Sequence, residues 1–289
     1  MTIKVIDIHP HIISTDTEKY PRAPLGGNPS TWSQERPTST EQLLRAMDEA
    51  GVAQAAIVHA STCYGFDNSY VADAVAAHPD RFTGVFSVDM LANDAAERIR
   101  YWAGRNLTGL RLFTAGSTMA GQADWLADPK TFAGWDCATE LELPVCVQMR
   151  AAGLPLLQVL LDRYPRTRII IDHFLNLPLE DGPPYKEIDS LLRLSKFPNV
   201  TLKYTPVIVI AARKGRATPE TFFARVLAEF GASRIAWGSN FPANAGSLKE
   251  LLQSSQAAIS FASEADRQWI FGKTAETLYP VLKAGTNVR

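Results

Sequence analysis

Short apolar runs rich in branched residues alternate along this chain with longer segments whose apolar positions recur at helical spacing, and the alternation continues to the C-terminus. Eight runs read as strands: residues 3–11, 54–61, 81–89, 107–114, 143–150, 167–174, 199–205 and 234–241. Between them lie amphipathic stretches such as "TSTEQLLRAMDEAG". There Leu43, Leu44, Met47 and Ala50 form a stripe, Ser39 or Thr40 can cap the start, and Gly51 ends the helix. Eight strand-then-helix units predict an α/β fold, a closed parallel (β/α)8 TIM barrel occupying residues 1–289 as a single domain. An open doubly wound sheet is the alternative, but no GxGxxG follows the first strand. Residues 12–37 have loop composition, and a loop that long is expected to serve function. A further helix over "EADRQWIFGKTAETLYPVL" is expected to close the barrel.

Polar residues matter most at the C-terminal ends of the strands, where barrels of this kind assemble their sites. His9 and His11 end the first strand, His59 and Ser61 the second, and Asp89 the third; Arg111 lies on the fourth. Gln148 and Arg150 end the fifth, Asp172 and His173 the sixth, Lys203 and Tyr204 the seventh, and Asn240 the eighth. On a strand, Asp7, His9 and His11 would share one face, the two histidines about 7 Å apart and able to reach one ion or one ligand. Asp7, deeper in, would orient them. Arg111, set among apolar residues, needs an anion, either a protein carboxylate such as Asp89 or a substrate carboxylate. His59 would bind a substrate oxygen or lock a loop, and His78 reads as a helix-end residue.

The 289 residues are 46% hydrophobic and 20% charged, with 29 basic and 30 acidic side chains and a formal charge of -1. That composition suits a globular chain and argues against nucleic acid or an anionic membrane surface as partner. Cys63, Cys137 and Cys146 form no CxxC, so neither a disulfide framework nor a cysteine metal site is expected, and a reducing cytoplasm fits best. The first residues do not show the basic and apolar regions of a secretory signal, so none is expected, and no run approaches the roughly 18 apolar residues of a membrane span. The expected partner is a small carboxylate; a homo-oligomer is compatible with the sequence.

"DIHPH", "IIIDHF" and "WGSNFP" together resemble the landmarks of the amidohydrolase superfamily, amidohydrolase-2 type, over essentially the whole chain. The resemblance implies that His9, His11 and His173 bind a divalent metal such as Zn2+ or activate water. "VHASTCYGFDN", "LTGLRLFT" and "IAWGSNFP" are similar to lactone hydrolases of the 2-pyrone-4,6-dicarboxylate lactonase type, which act without a metal in aromatic compound catabolism. That likeness implies that His9, His11, His173 and the residue at 240 are catalytic. It also implies that Arg111, Ser61, Tyr64 and Asn68 hold substrate; their places at the strand ends add His59, Gln148 and Arg150 as candidate substrate contacts. At position 240 an aspartate is expected, yet the chain has Asn240, and an amide cannot take a proton from water. Three readings follow: a lactone hydrolase with another base, a metal-dependent decarboxylase of an aromatic or unsaturated acid, and a noncatalytic binding protein or inactivated variant.

Overall fold

The computed structural model describes residues 3–114 and 124–283. Eight parallel strands run in sequence order around a barrel: β1 (Val5–Asp7), β2 (Val52–Val58), β3 (Phe82–Phe86), β4 (Leu107–Phe113), β5 (Val145–Gln148), β6 (Ile169–Ile171), β7 (Val200–Tyr204) and β8 (Ile235–Trp237). Each is hydrogen-bonded to the next. Ile8 N donates to Trp237 O across 3.2 Å, joining the chain after β1 to β8. The expected (β/α)8 barrel is therefore present, with strands shorter than the apolar runs because several runs bend away at the rim.

Alternation along the strands sorts the core into two layers. Inside the barrel, Ile6, Ile8, Ala56, Val58, Val85, Cys146, Ile170 and Ala236 pack together with Tyr279 from the C-terminal segment. Ala55, Ile57, Leu110, Leu112, Val145, Val147, Leu202 and Trp237 belong to the outer layer, which packs beneath helices such as Thr40–Ala50, Ala95–Ala103, Leu154–Arg163 and Pro219–Phe230. Thr40–Ala50 begins with a capping box between Ser39 and Gln42 and ends at Gly51 in left-handed conformation. Between β6 and β7 the helical segment is short, Asp189–Leu192, flanked by 3-10 turns at Lys186–Ile188 and Arg193–Lys196. The expected C-terminal helix runs through Glu264–Gln268, a π-turn at Trp269–Lys273 and Thr274–Leu278. Among the described residues no helix is long and apolar enough to cross a membrane.

Residues 12–37 form a fixed cover. They contain a 3-10 turn at Leu25–Gly27 and a helix at Thr31–Glu35. Arg22 donates to Ser14 O and Cys63 Sγ, Ser30 Oγ meets Thr62 Oγ1, and Arg36 donates to Pro242 O and Ala243 O. The segment is thus tied both to the chain after β2 and to the chain after β8.

Candidate active site

The first strand delivers its histidines differently from simple alternation. β1 ends at Asp7 and the chain bends at Ile8, so His9 and His11 reach the rim from beyond the strand, while Ile6 and Ile8 pack inside the barrel. Asp7 Oδ1 accepts from His9 N (2.9 Å) and Ser239 N (2.8 Å). It orients backbone across the β1–β8 seam, not an imidazole. The same seam explains Gly238, where an added Cβ would lie 2.6 Å from His9 Cβ.

His9, His11 and His173 converge. The His9 ring centroid lies 4.9 Å from that of His11 and 5.0 Å from that of His173. His11 Nδ1 donates to Val58 O at 2.7 Å, which leaves Nε2 with its lone pair. His173 Nδ1 pairs with Thr205 Oγ1 at 2.9 Å. Both His9 ring nitrogens are buried without a hydrogen-bond partner. Burial, reinforced by the cations nearby, lowers all three histidines. His9 falls well below its ordinary range, His11 to about 3 and His173 to about 4, so the rings are neutral near neutral pH. His173 is swung off β6 by four consecutive residues at positive φ, from His173 to Asn176, with Phe174 and Leu175 buried beneath. For bulky residues such a conformation is costly and marks a site held by its surroundings.

Below the histidines lies a buried charge cluster. Asp172 accepts from Arg111 Nε (2.9 Å) through one carboxylate oxygen, and Lys203 Nζ stands 2.7 Å from the other. Burial alone would raise this carboxyl, but Lys203 and Arg111 hold it well below the usual carboxylate range. The anion sought for Arg111 is therefore Asp172; Asp89 instead accepts from Leu91 N. The other two guanidinium nitrogens of Arg111 make no hydrogen bond to a described residue.

A cavity of about 250 Å3 is lined by His11, Trp32, Arg111, Gln148, His173 and Asn240, among others. Ser61 also lines it, its hydroxyl donating to Ser87 Oγ. Trp32 reaches it from the cover and stacks on His11 at 5.1 Å and 28°. Asn240, at φ 52°, donates Nδ2 to Asn244 Oδ1 (2.6 Å). Three expected substrate residues lie elsewhere. His59 Nε2 pairs with Gly65 O, Tyr64 OH accepts from Ser14 N, and Asn68 bridges Phe66 and Ser87. All three are buried and pin the loop after β2, outside the cavity wall. Arg150 is exposed past β5.

His9, Asp172 and His173 bring possible metal donors within 4.8 Å of one another, but the set does not fit a divalent cation. Its one carboxylate already carries two cations, residue 240 is a neutral amide, and an added ion would stand beside the excess positive charge. The cluster suits an anion. The sequence places Asp172 and Lys203 at strand ends, but their pairing with each other and with Arg111 emerges only in the fold.

The family model described as "Amidohydrolase" matches residues 6–281. An L-fucono-1,5-lactonase of Burkholderia ambifaria is 31% identical over 120 residues, a match spanning 41% of this chain and only 41% of that protein. A structure described as that of a putative 2-pyrone-4,6-dicarboxylic acid hydrolase from Pseudomonas putida superimposes with a TM-score of 0.78 at 22% identity, covering 97% of this chain and 99% of that one. An amidohydrolase of Burkholderia multivorans with bound zinc gives 0.76 at 22% identity, covering 96% and 99%. At such identities the structural matches establish the shared barrel.

Proposed function

The chain belongs to the amidohydrolase family, and from that premise we propose that it hydrolyses a lactone or related cyclic ester bearing a carboxylate. The observation that carries this reading is the cavity wall itself: neutral proton acceptors beside a guanidinium whose terminal nitrogens have no partner among the described residues, above a cluster of two cations and one carboxylate. The named lactonase and hydrolase relatives support the same class.

Arg111 grips the substrate carboxylate with its two terminal nitrogens and so sets the ring against the histidines. Water attacks the lactone carbonyl carbon and gives its proton to His11 Nε2, the nitrogen that the Val58 hydrogen bond leaves free. After burial, Arg111 is the largest influence lowering His11, so a carboxylate paired with Arg111 makes His11 a better base at the moment it is needed. His173, on the cavity wall, steadies the tetrahedral oxyanion, while His9 is buried behind the wall against the rings of His11 and His173 and acts through them. The ring C–O bond then breaks, the proton passes to the departing oxygen, and the product is a hydroxy acid. Asn240 orients water or carbonyl through its amide. The metal-dependent decarboxylase reading needs an ion that this charge arrangement disfavours.

Ring opening followed spectrophotometrically on a panel of pyrone, muconolactone and sugar-lactone acids tests the proposal. Turnover of a carboxylate-bearing lactone, with little for its methyl ester, is expected. No hydrolysis by the wild type and by Asn240→Asp alike would overturn it, and release of CO2 from an aromatic acid would favour the decarboxylase.

A further inference from the structure

A second cavity, of about 180 Å3, opens beside the first between the chain beyond β3 and the end of β4. Its wall is mainly apolar, formed by Val88, Met90, Leu91, Leu112, Phe113 and Trp125. The polar groups near it are largely committed. Ser61 Oγ donates to Ser87 Oγ, Ser87 Oγ donates to Arg111 O, and Asp89 Oδ1 accepts from Leu91 N. Arg111, Ser61 and Phe113 line both cavities. The guanidinium thus stands at the junction, its Cζ 5.2 Å from the Phe113 ring centroid, with its Nε fixed by Asp172.

An anion paired with Arg111 therefore has the histidines on one side and an apolar chamber on the other. At roughly 30 Å3 for a water-sized group, the chamber has room for about six carbon-sized groups. Asp89, an exposed residue, offers its second carboxylate oxygen; against the apolar wall, buried hydroxyls would lack partners, whereas buried methylenes gain their transfer free energy. We propose that this chamber is a subsite for an alkyl or aryl arm of the substrate, so that the protein takes acids and lactones with about three to six apolar carbons next to the carboxylate. The inference rests on Arg111 as the carboxylate anchor of the proposed reaction, and it selects within that class against fully hydroxylated rings.

Binding of straight-chain carboxylates from acetate to octanoate, measured by calorimetry on the intact protein, tests this without needing turnover. Affinity should rise about fourfold per methylene until the chamber is full, then level off. Leu91→Gln and Trp125→Gln, at partly exposed wall positions chosen to spare the fold, should flatten that rise; circular dichroism checks that they remain folded. A Kd independent of chain length, or a rise undiminished in both folded variants, would overturn the subsite. A chain-length gain without hydrolysis of any lactone supports the subsite while counting against the proposed reaction. Hydrolysis with no chain-length dependence in Kd or kcat/KM sinks the subsite and leaves the reaction standing.

Discussion

Acidification should strip stability from this protein through its neutral histidines. Burial is the first cause that lowers each of His9, His11, His59 and His173, and it takes His11 to about 3 and His59 and His173 to about 4. Unfolded, each titrates near its ordinary 6.5, so below that value the unfolded chain takes up protons that the native state refuses. Their contribution is whole above pH 6.5 and lost as pH falls toward the folded values. At about 1.36 kcal/mol per unit, moving from about pH 7.5 to about pH 5 costs about 2 kcal/mol for each of the three groups with a stated value, about 6 in all. His9 acts in the same direction. Asp7 opposes them: burial raises it to about 6, so its protonation over the same interval returns about 1 kcal/mol. A net loss of about 5 kcal/mol rivals the whole stability of an ordinary domain, roughly 5–15 kcal/mol. Urea unfolding followed by tryptophan fluorescence in small pH steps measures it, and near pH 5 the slope should correspond to about three protons taken up on unfolding. A change below about 1 kcal/mol over the interval would mean that the folded histidines accept protons, and would refute the reasoning.

The seam carboxylate gives a prediction of opposite sign. Asp7 is raised in the fold, so its contribution is present below its unfolded value of 3.8 and lost as pH rises through about 6. Asp7→Asn keeps an oxygen for the His9 and Ser239 amides and should gain up to about 3 kcal/mol near pH 8 and little near pH 4, as read by melting curves at both pH values; equal effects would contradict the raised carboxyl. Lys203→Met leaves Asp172 with Arg111 alone and should cost about 3–5 kcal/mol in urea unfolding. Adding Asp172→Asn should recover much of that loss, and a neutral single variant would refute the ion-cluster reading. Protein purified from zinc-supplemented medium should hold far less than one equivalent of zinc, with turnover unaffected by chelator. A stoichiometric ion would undo the charge argument.

The barrel was legible because each strand's apolar run is local and its period unmistakable, and the rim positions followed from where the runs end. What was not legible depended on atoms distant in sequence. Arg111 and Asp172 are 61 residues apart, and nothing in "GLRLF" says which carboxylate faces it until strands four and six share a barrel. The lactonase resemblance points to Tyr64 and Asn68 as substrate contacts, and its place at a strand end offers His59 as another. In the fold Tyr64 OH meets Ser14 in the cover, Asn68 meets Phe66 and Ser87, and His59 Nε2 meets Gly65, while His59 Nδ1 is buried with no hydrogen-bond partner among the described residues. "DHFLN" contains no glycine to announce a left-handed turn, so the swing that carries His173 was invisible.

Asn240 acquires a different meaning in this setting. Its φ of 52° lies in a region that asparagine and aspartate both tolerate better than most residues, so either side chain fits the backbone, and the difference between them is charge. With Asn240, the cavity and the cluster beneath it carry Arg111 and Lys203 against Asp172, a surplus of one positive charge. With an aspartate the surplus vanishes, and a second carboxylate faces the substrate's own. For charges about 8 Å apart at an effective dielectric of about 20, the repulsion is about 2 kcal/mol, some thirtyfold in carboxylate affinity. Asn240→Asp should therefore raise the Kd for hexanoate by roughly that factor while raising kcat for lactone opening, because the new carboxylate can take the proton from water. Calorimetry and initial rates separate the two effects. If the substitution tightened carboxylate binding, or raised kcat with no loss of affinity, the cavity would not be the anion site argued for here, and Arg111 would have to be reassigned to holding Asp172 alone.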